Sequence, residues 1–262
     1  MTTVGIMQGR LSPAGARAQA FPVKTWREEF SAASRCGFDA IEWLLTDESL
    51  DDNPFWTQHR DIAAMSRQSG VMVTSVLADF VIARGHQAAL QWLPRMFDAA
   101  LGLGARVCVL PYLEQSTWRD ADDASRVLDT LAPSIAAAVS AGLTVAIESD
   151  WSAAELVAAL DRSGASVGVC VDSGNSAAAG RRPADEARTL KTKLVHVHLK
   201  DRPVGRSSVM LGEGDAHIPA VLAALHEIRY GGVIVLETPR GDDPQQSAAV
   251  NLAFVRQCAG PA

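Results

Sequence analysis

The chain has 262 residues, of which 48% are apolar and 21% charged, and its formal net charge is −6. This length and composition are typical of a globular protein with a large core, and no low-complexity tract or long run of like charge marks a disordered segment. The acidic balance disfavours nucleic acid as a partner, because binding a phosphodiester backbone needs a basic surface.

The four cysteines lie far apart among apolar neighbours and form no CxxC pair, which argues against a disulfide framework or a thiolate zinc site. The first residues show no basic segment followed by an apolar one. No apolar run approaches the roughly 18 residues that a membrane span needs. We therefore expect a cytoplasmic protein that does not contact a membrane.

A short apolar run, a polar stop, a longer helical pattern and a glycine recur along the chain. The predicted strands are residues 4–8, 39–44, 71–77, 106–110, 143–148, 167–172, 194–199 and 232–237. Helical patterns between them include residues 26–35, 87–103, 121–141 and 152–161. Several of the strands are almost continuously apolar, as expected for parallel strands that are buried on both faces.

This alternation of strands and helices favours a closed (β/α)8 TIM barrel, with an open doubly wound sheet as the alternative, since periodicity alone does not show closure. We predict one domain over residues 1–262, because α/β barrels of roughly 200 to 250 residues fold as single units. The first strand is not followed by the three glycines of a dinucleotide-binding loop. Instead, residues 8–22 form a long polar loop, which could be a lid over a site or an ordinary surface loop.

The last four predicted strands each end in a residue of a type that binds metal ions. In chain order these residues are Glu148, Asp172, His198 and Glu237. The strand ends of a TIM barrel meet at one rim, where its active sites lie. Each residue alone could be a helix cap, a turn residue or a buried histidine. Together, however, three carboxylates in one rim would repel each other unless a cation lay among them, so we predict a divalent-metal site.

His196 and His198 lie two residues apart on the seventh predicted strand and therefore point to the same face of it. Depth in the barrel separates them, because His198 ends the strand level with the other three ligands and His196 lies one residue pair deeper. We assign His198 to the metal. For His196, a structural role and a role as a partner beneath the ion both stay open.

Seven more residues at or after the predicted strand ends are candidate substrate contacts. They are Glu42, Asp79, Asn175, Lys200, Arg202, Arg206 and Arg240. The three basic residues that follow His198 could bind a phosphate or carboxylate of a substrate, although Lys200 could equally pair with Asp201.

Five short blocks carry the predicted ligands and the loop after the seventh strand: residues 146–148 (AIE), 171–175 (VDSGN), 196–201 (HVHLKD), 211–215 (LGEGD) and 236–238 (LET). With residues 5–13 and 37–43, they resemble the xylose isomerase-like TIM barrel superfamily. Within it, the chain looks most like the sugar phosphate isomerase/epimerase proteins, which are relatives of the ketose 3-epimerases. The likeness covers essentially the whole chain.

This resemblance implies that Glu148, Asp172, His198 and Glu237 bind the metal, with Mn²⁺ expected before Mg²⁺, Co²⁺ or Zn²⁺. It also implies that Glu148 and Glu237 act as an acid/base pair. A cation acidifies the C–H beside a ketose carbonyl by stabilising the enediolate, so one glutamate could remove the proton and the other return it. The implied activity is that of an isomerase or epimerase of a sugar, keto sugar or sugar phosphate, and a homo-oligomer is expected on the same ground.

Two departures limit the resemblance. Asn175 stands where related 3-epimerases often have a histidine, and an amide can bind a sugar hydroxyl but cannot shuttle a proton. Residues 206–210 lack the histidines of the related apurinic endonucleases, so we expect no trinuclear zinc site. Two alternative functions stay open: a metal-dependent dehydratase or lyase of a polyol or cyclic keto acid, and a non-catalytic sugar-binding barrel.

Overall fold

Eight parallel strands form a closed barrel in sequential order in the computed structural model, which describes residues 3–13, 17 and 19–259. The strands are β1 Val4–Met7, β2 Ala40–Leu44, β3 Met72–Leu77, β4 Val107–Tyr112, β5 Thr144–Ser149, β6 Gly168–Asp172, β7 Leu194–Leu199 and β8 Ile234–Leu236. The barrel closes where β8 pairs with β1, with Val235 opposite Gly5. The predicted (β/α)8 TIM barrel is confirmed, and the open sheet is excluded.

Nine α-helices in the described part of the chain surround the barrel. They are α1 Trp26–Cys36, α2 His59–Ser69, α3 Phe80–Leu103, α4 Ala121–Ser140, α5 Ala153–Ser163, α6 Ser173–Ala178, α7 Pro183–Leu190, α8 Ile218–Glu227 and α9 Pro244–Ala259. α3 is interrupted at Gly85, where φ is 72° and ψ is −175°. The helix predicted at 87–103 is the segment after this break.

The interior of the barrel has an apolar layer to which seven of the eight strands each contribute one side chain. This layer consists of Met7, Leu44, Leu77, Val109, Ala146, Cys170 and Val235. β7 contributes buried His196 and His198 instead. Because residues two apart in a strand share a face, Ala146, Cys170 and Val235 lie one step below the predicted carboxylate ligands. The apolar layer therefore supports the site from beneath.

Within the described residues, no helix combines the length and the apolar character that crossing a membrane would require.

Candidate metal and substrate site

The four predicted ligands meet at the carboxyl-terminal rim of the barrel. Nδ1 of His198 lies 3.5 Å from Oε2 of Glu148 and 3.7 Å from Oε2 of Glu237. Asp172, His198 and Glu237 each offer one ligand atom, and these atoms lie within 4.8 Å of one another. All four residues are buried. The structure thus brings together the residues that the strand-end pattern singled out.

Strand register aligns Asp172 with His198. Asp172 lies opposite His198 in the pairing of β6 with β7. On the other side of β7, the N–H of Glu237 donates to the carbonyl of Leu199 at 3.1 Å. Between β5 and β6 and between β7 and β8, however, the predicted ligands are offset by two residues in the ladder. The tilt of the strands in a closed barrel brings these residues to one rim.

Asp172 has two roles in the structure. Its Oδ1 accepts the backbone N–H of Asn175 at 2.8 Å and so caps α6, while its Oδ2 lies 2.9 Å from Nζ of Lys200. Burial alone would raise the pKa of Asp172, but the charges of Lys200 and His198 lower it below its ordinary value. The turn-residue interpretation and the site interpretation thus apply to the same carboxylate.

Two cations converge on one oxygen of Glu237. Nζ of Lys200 lies 2.6 Å and Nη2 of Arg10 3.1 Å from Oε1, whereas Oε2 faces His198. Burial opposes the charge of Lys200, yet Asp172 and Glu237 raise its pKa above the ordinary value. Lys200 therefore does not pair with Asp201, the alternative considered from the sequence.

Asp201 instead organises the loop that follows β7. Its carboxylate accepts the backbone N–H groups of Gly212 at 2.8 Å, Gly214 at 3.1 Å and Ala216 at 3.0 Å. Gly214 fits close to this carboxylate, since a Cβ there would lie 2.3 Å from Oδ1 of Asp201. The block at 211–215 is thus explained by loop geometry.

Glu42 lies beneath His198, at the floor of the site. Its Oε1 is 2.8 Å from Nε2 of His198, and its Oε2 is 2.7 Å from Nε2 of His196. Glu42 is 0%, His196 1% and His198 0% exposed, so solvent does not reach this group. Burial alone would raise the pKa of Glu42, but the two histidines lower it. His196 occupies the deeper position predicted for it.

The sequence interpretation missed Arg10 and Glu29, which shape the rim. Glu29 of α1 is 2% exposed, and its carboxylate accepts the N–H of Gly9 at 2.8 Å, the N–H of Leu11 at 3.2 Å and the hydroxyl of Ser12 at 2.8 Å. Burial raises the pKa of Glu29 to about 7 against these hydrogen bonds. Glu29 thus holds the backbone on both sides of Arg10.

One feature of the sequence could have identified Glu29 as a residue that shapes the site. It stands between Trp26 and Ala33 on the face of α1 that packs against the core, where an acidic residue is costly unless it is hydrogen-bonded. Arg10 had no comparable signal, because its contact with Glu237 joins residues 227 positions apart.

The remaining candidate contacts lie around this rim at different depths. Asp79 precedes α3, and burial followed by the charges of Glu237 and Glu148 raises its pKa to about 7. Oδ1 of Asn175 accepts a hydrogen bond from Nη1 of Arg202 at 2.9 Å.

Arg206 and Arg240, two further predicted substrate contacts, differ in their exposure to solvent. Arg206 is exposed, and its carbonyl accepts from Nε of Arg202 at 2.8 Å. Arg240 is buried and donates from Nε to the carbonyl of Gly9 at 2.6 Å, so it helps to hold the loop after β1.

The donor set fits a divalent ion. Nδ1 of His198 is buried, and it has no hydrogen-bond partner among the described residues although carboxylates surround it. Three carboxylates and one imidazole are ligands that Mn²⁺, Mg²⁺ and Co²⁺ accept. Cys170 also lies close to Glu148 and His198, but burial raises its pKa to about 12, and a protonated thiol is a poor ligand.

Comparison with known proteins supports this fold. The family model described as xylose isomerase-like TIM barrel matches residues 30–258. No curated protein matches this chain. Among solved structures, L-ribulose 3-epimerase has a TM-score of 0.76 at 19% identity, over 99% of this chain and 95% of its own.

Two further solved structures have the same fold along their whole length. The 3-keto-D-glucoside 4-epimerase of E. coli has a TM-score of 0.74 at 20% identity, over 98% of this chain and 100% of its own. The D-psicose 3-epimerase of Clostridium cellulolyticum has a TM-score of 0.70 at 16% identity, over 100% of both chains. Since the family model matches most of the sequence and the strands close into the corresponding barrel, the chain belongs to the xylose isomerase-like TIM barrel family.

Proposed function

We propose that this protein is a divalent-metal-dependent isomerase or epimerase of a sugar, keto sugar or sugar phosphate. The observation that carries the proposal is the meeting of Glu148, Asp172 and Glu237 around a buried His198 nitrogen that lacks a hydrogen-bond partner in the described part of the chain. The names of three structural neighbours support the reaction type, since each is a sugar epimerase.

Glu148, Asp172, His198 and Glu237 would hold the ion, for which we propose Mn²⁺, with Mg²⁺, Co²⁺ and Zn²⁺ as alternatives. When bound, such an ion polarises the carbonyl of a keto sugar and stabilises the negative charge of its enediolate. In this proposal Asp172 and His198 serve only as ligands. The cap on α6 holds the carboxylate of Asp172 in place, and Glu42 holds the ring of His198.

Glu148 and Glu237 are the proposed proton carriers. Their Oε2 atoms lie on β5 and β8 side chains that approach His198 from different directions round the barrel. One glutamate removes the proton from the carbon beside the carbonyl, and the other returns a proton to the opposite face, which inverts that carbon. Return to the neighbouring carbon gives aldose–ketose isomerisation instead.

The polar groups of the rim are the proposed contacts of the sugar. Asn175 and Asp79 suit hydroxyl groups, whereas Lys200, Arg202, Arg206 and Arg240 suit a phosphate or another anionic group. Lys200 is the best placed of these cations, because it already bridges Asp172 and Glu237. A substrate that reaches the two glutamates would therefore meet its ammonium group.

Proton exchange in D₂O tests the proposal. The Mn²⁺-loaded protein is incubated with L-ribulose or D-psicose and followed by NMR, with a chelator-treated sample beside it. We expect deuterium at the carbon next to the carbonyl, and a loss of about 10²- to 10⁴-fold in rate for Glu148→Gln or Glu237→Gln. Glu28→Gln, an exposed change on α1, is the matched control and should leave the rate unchanged.

The same spectra separate the alternatives. Loss of water from the sugar would identify a dehydratase or lyase, and binding without exchange or elimination would identify a non-catalytic barrel. Either outcome would contradict the proposed isomerase or epimerase.

A further inference from the structure

We infer that Glu42 is a positioning residue for His198: its carboxylate holds the imidazole so that Nδ1 faces Glu148 and Glu237. The inference deepens the proposed function and rests on it, since the ring is held for a metal ion. It assigns Glu42 a task different from the substrate contact expected from the sequence.

The contact between Glu42 and His198 crosses the barrel interior. Glu42 belongs to β2 and His198 to β7, which are not neighbours in the strand order. Oε1 of Glu42 nevertheless lies 2.8 Å from Nε2 of His198, and both residues are 0% exposed. No backbone pairing imposes this contact, so the two side chains hold each other.

The direction of the hydrogen bond decides which ring nitrogen is available. An ionised carboxylate can only accept, so Nε2 of His198 must carry the hydrogen. In a neutral ring the lone pair then lies on Nδ1, which faces the carboxylates at 3.5 and 3.7 Å. Histidines that bind metals generally donate their other N–H to such a partner, which fixes the ring and its tautomer.

His196 explains why Glu42 itself stays in place. Oε2 of Glu42 lies 2.7 Å from Nε2 of His196, and the two imidazole rings stand at 86° to each other with centroids 5.2 Å apart. Each oxygen of Glu42 therefore faces one histidine. Turning the carboxylate away from His198 would also break its contact with His196.

A substrate contact and a second metal site both fit Glu42 less well than a positioning role. A sugar cannot touch Glu42, because the residue and both histidines are at most 1% exposed. A second metal ion between Glu42, His196 and His198 would lie among groups that are already close in space. However, the N–O separations are only 2.7 and 2.8 Å, and the second is a hydrogen bond, so there is no room for an ion between the atoms.

The experiment combines Mn²⁺ titration with NMR of ¹⁵N-labelled histidines, the latter recorded without Mn²⁺ and at a pH high enough for the His198 ring to be neutral. For the native protein we expect one Mn²⁺ per chain and His198 as the Nε2–H tautomer. For Glu42→Gln, whose amide can turn either its oxygen or its NH₂ group towards Nε2 of His198, we expect about 10- to 100-fold weaker Mn²⁺ binding and a mixed His198 tautomer. Glu28→Gln is the control and should match the native protein in both readouts.

His196→Gln keeps the experiment decisive if Glu42→Gln fails to fold. It releases Oε2 of Glu42 but leaves the contact through Oε1, so we expect a smaller, several-fold loss of Mn²⁺ affinity with the tautomer retained.

Three results would overturn the inference. The first is a folded Glu42→Gln protein with native Mn²⁺ affinity and an unchanged His198 tautomer. The second is a pair of ions per native chain, one of which is lost in Glu42→Gln, because Glu42 would then be a ligand. The third is an Nδ1–H tautomer in the native protein. Failure of the proposed function would look different, since the native protein would then bind no Mn²⁺ at all while the tautomer still reported on Glu42.

Discussion

The floor and the rim of the site are held by different means. The floor comprises Glu42 and His196, which lie on strands and, like His198 above them, are closed off from solvent. The rim residue Arg10 lies on the loop after β1, and a single carboxylate, that of Glu29, binds the backbone on either side of it. Strand register fixes the height of a side chain, whereas a loop needs a dedicated hydrogen-bonding partner to bring its side chain to the same place.

The two regions should therefore respond differently to substitution. Changes at strand-borne residues should alter metal affinity, because those side chains are the proposed ligands or touch them. Changes at the loop should alter the rate and the stability more than the affinity, because Arg10 contacts Oε1 of Glu237 while Oε2 faces His198.

The largest effect is expected for Asp172→Asn, which separates the two roles of this residue. Asparagine can still cap α6 through its carbonyl oxygen, but it loses the charge that attracts a cation. We expect Mn²⁺ affinity to fall by more than about 100-fold. This exceeds the loss in affinity that follows when a residue that only hydrogen-bonds to a metal ligand is replaced. Titration with Mn²⁺ measures this, and a denaturant curve should show that the fold persists. An unchanged affinity would remove Asp172 from the ligand set.

The second prediction concerns pH and the Glu29 carboxyl. Its pKa is about 7 in the folded protein against an ordinary 4.5, so between these values the folded chain keeps a proton that the unfolded chain has lost. Stability should therefore fall as pH rises from about 4.5 to about 7, by up to about 3 kcal/mol. Below that window the contribution is fully present, and above it the loss is complete.

Glu29→Gln isolates this contribution from other titrating groups such as Asp79. The difference in unfolding free energy between the native protein and Glu29→Gln should change across that window, as measured by urea denaturation at several pH values. A difference that stays constant with pH would show that Glu29 ionises normally despite its burial.

The third prediction is a rim substitution. Arg10→Met removes one of the two cations on Oε1 of Glu237 and leaves Lys200 in place. We expect proton exchange to slow by about tenfold, the equivalent of one charged hydrogen bond of about 1.4 kcal/mol, with Mn²⁺ affinity within a few-fold of native. Arg17→Met, an exposed change in the same loop, is the control. Equal losses for the two variants would exclude a specific role for Arg10.

The smallest effect is expected in a double-mutant cycle. If Glu29 acts on the reaction through Arg10, Glu29→Gln should slow exchange in the native background but change little once Arg10→Met is present. The coupling free energy should be about 1 kcal/mol, within the range for residues joined through one network. Strict additivity would show that Glu29 supports the fold without guiding Arg10.

The strand-borne features of the site could be predicted from the sequence, whereas the contacts across the barrel and from the first loop could not. Periodicity located the strands to within a few residues, and the proposed ligands stand at strand ends because parallel strands end at a common rim. β4 runs to Tyr112, past the predicted end at 110, since Pro111 pairs with Glu148 in the ladder. These features depend on the local pattern of apolar and polar residues and on the order of the strands, which can both be read from neighbouring residues in the sequence.

Contacts across the barrel and from the first loop were not predictable in this way. Glu42 meets His198 over a separation of 156 residues, and nothing in the strand pattern says which inward-facing residues of opposite strands touch. The path of the loop after β1 depends on Gly9, whose φ of 88° and close approach to the carbonyl of Ala20 exclude a side chain. Both features follow from packing of distant segments rather than from local propensity.

Metal content per chain tests the central claim most directly. The purified protein is equilibrated with Mn²⁺, freed of excess ion and assayed by elemental analysis, beside His198→Gln prepared in the same way. We predict one tightly bound divalent ion per native chain and none in His198→Gln. A native protein that binds no divalent ion with Glu148, Asp172, His198 and Glu237 intact would contradict the account.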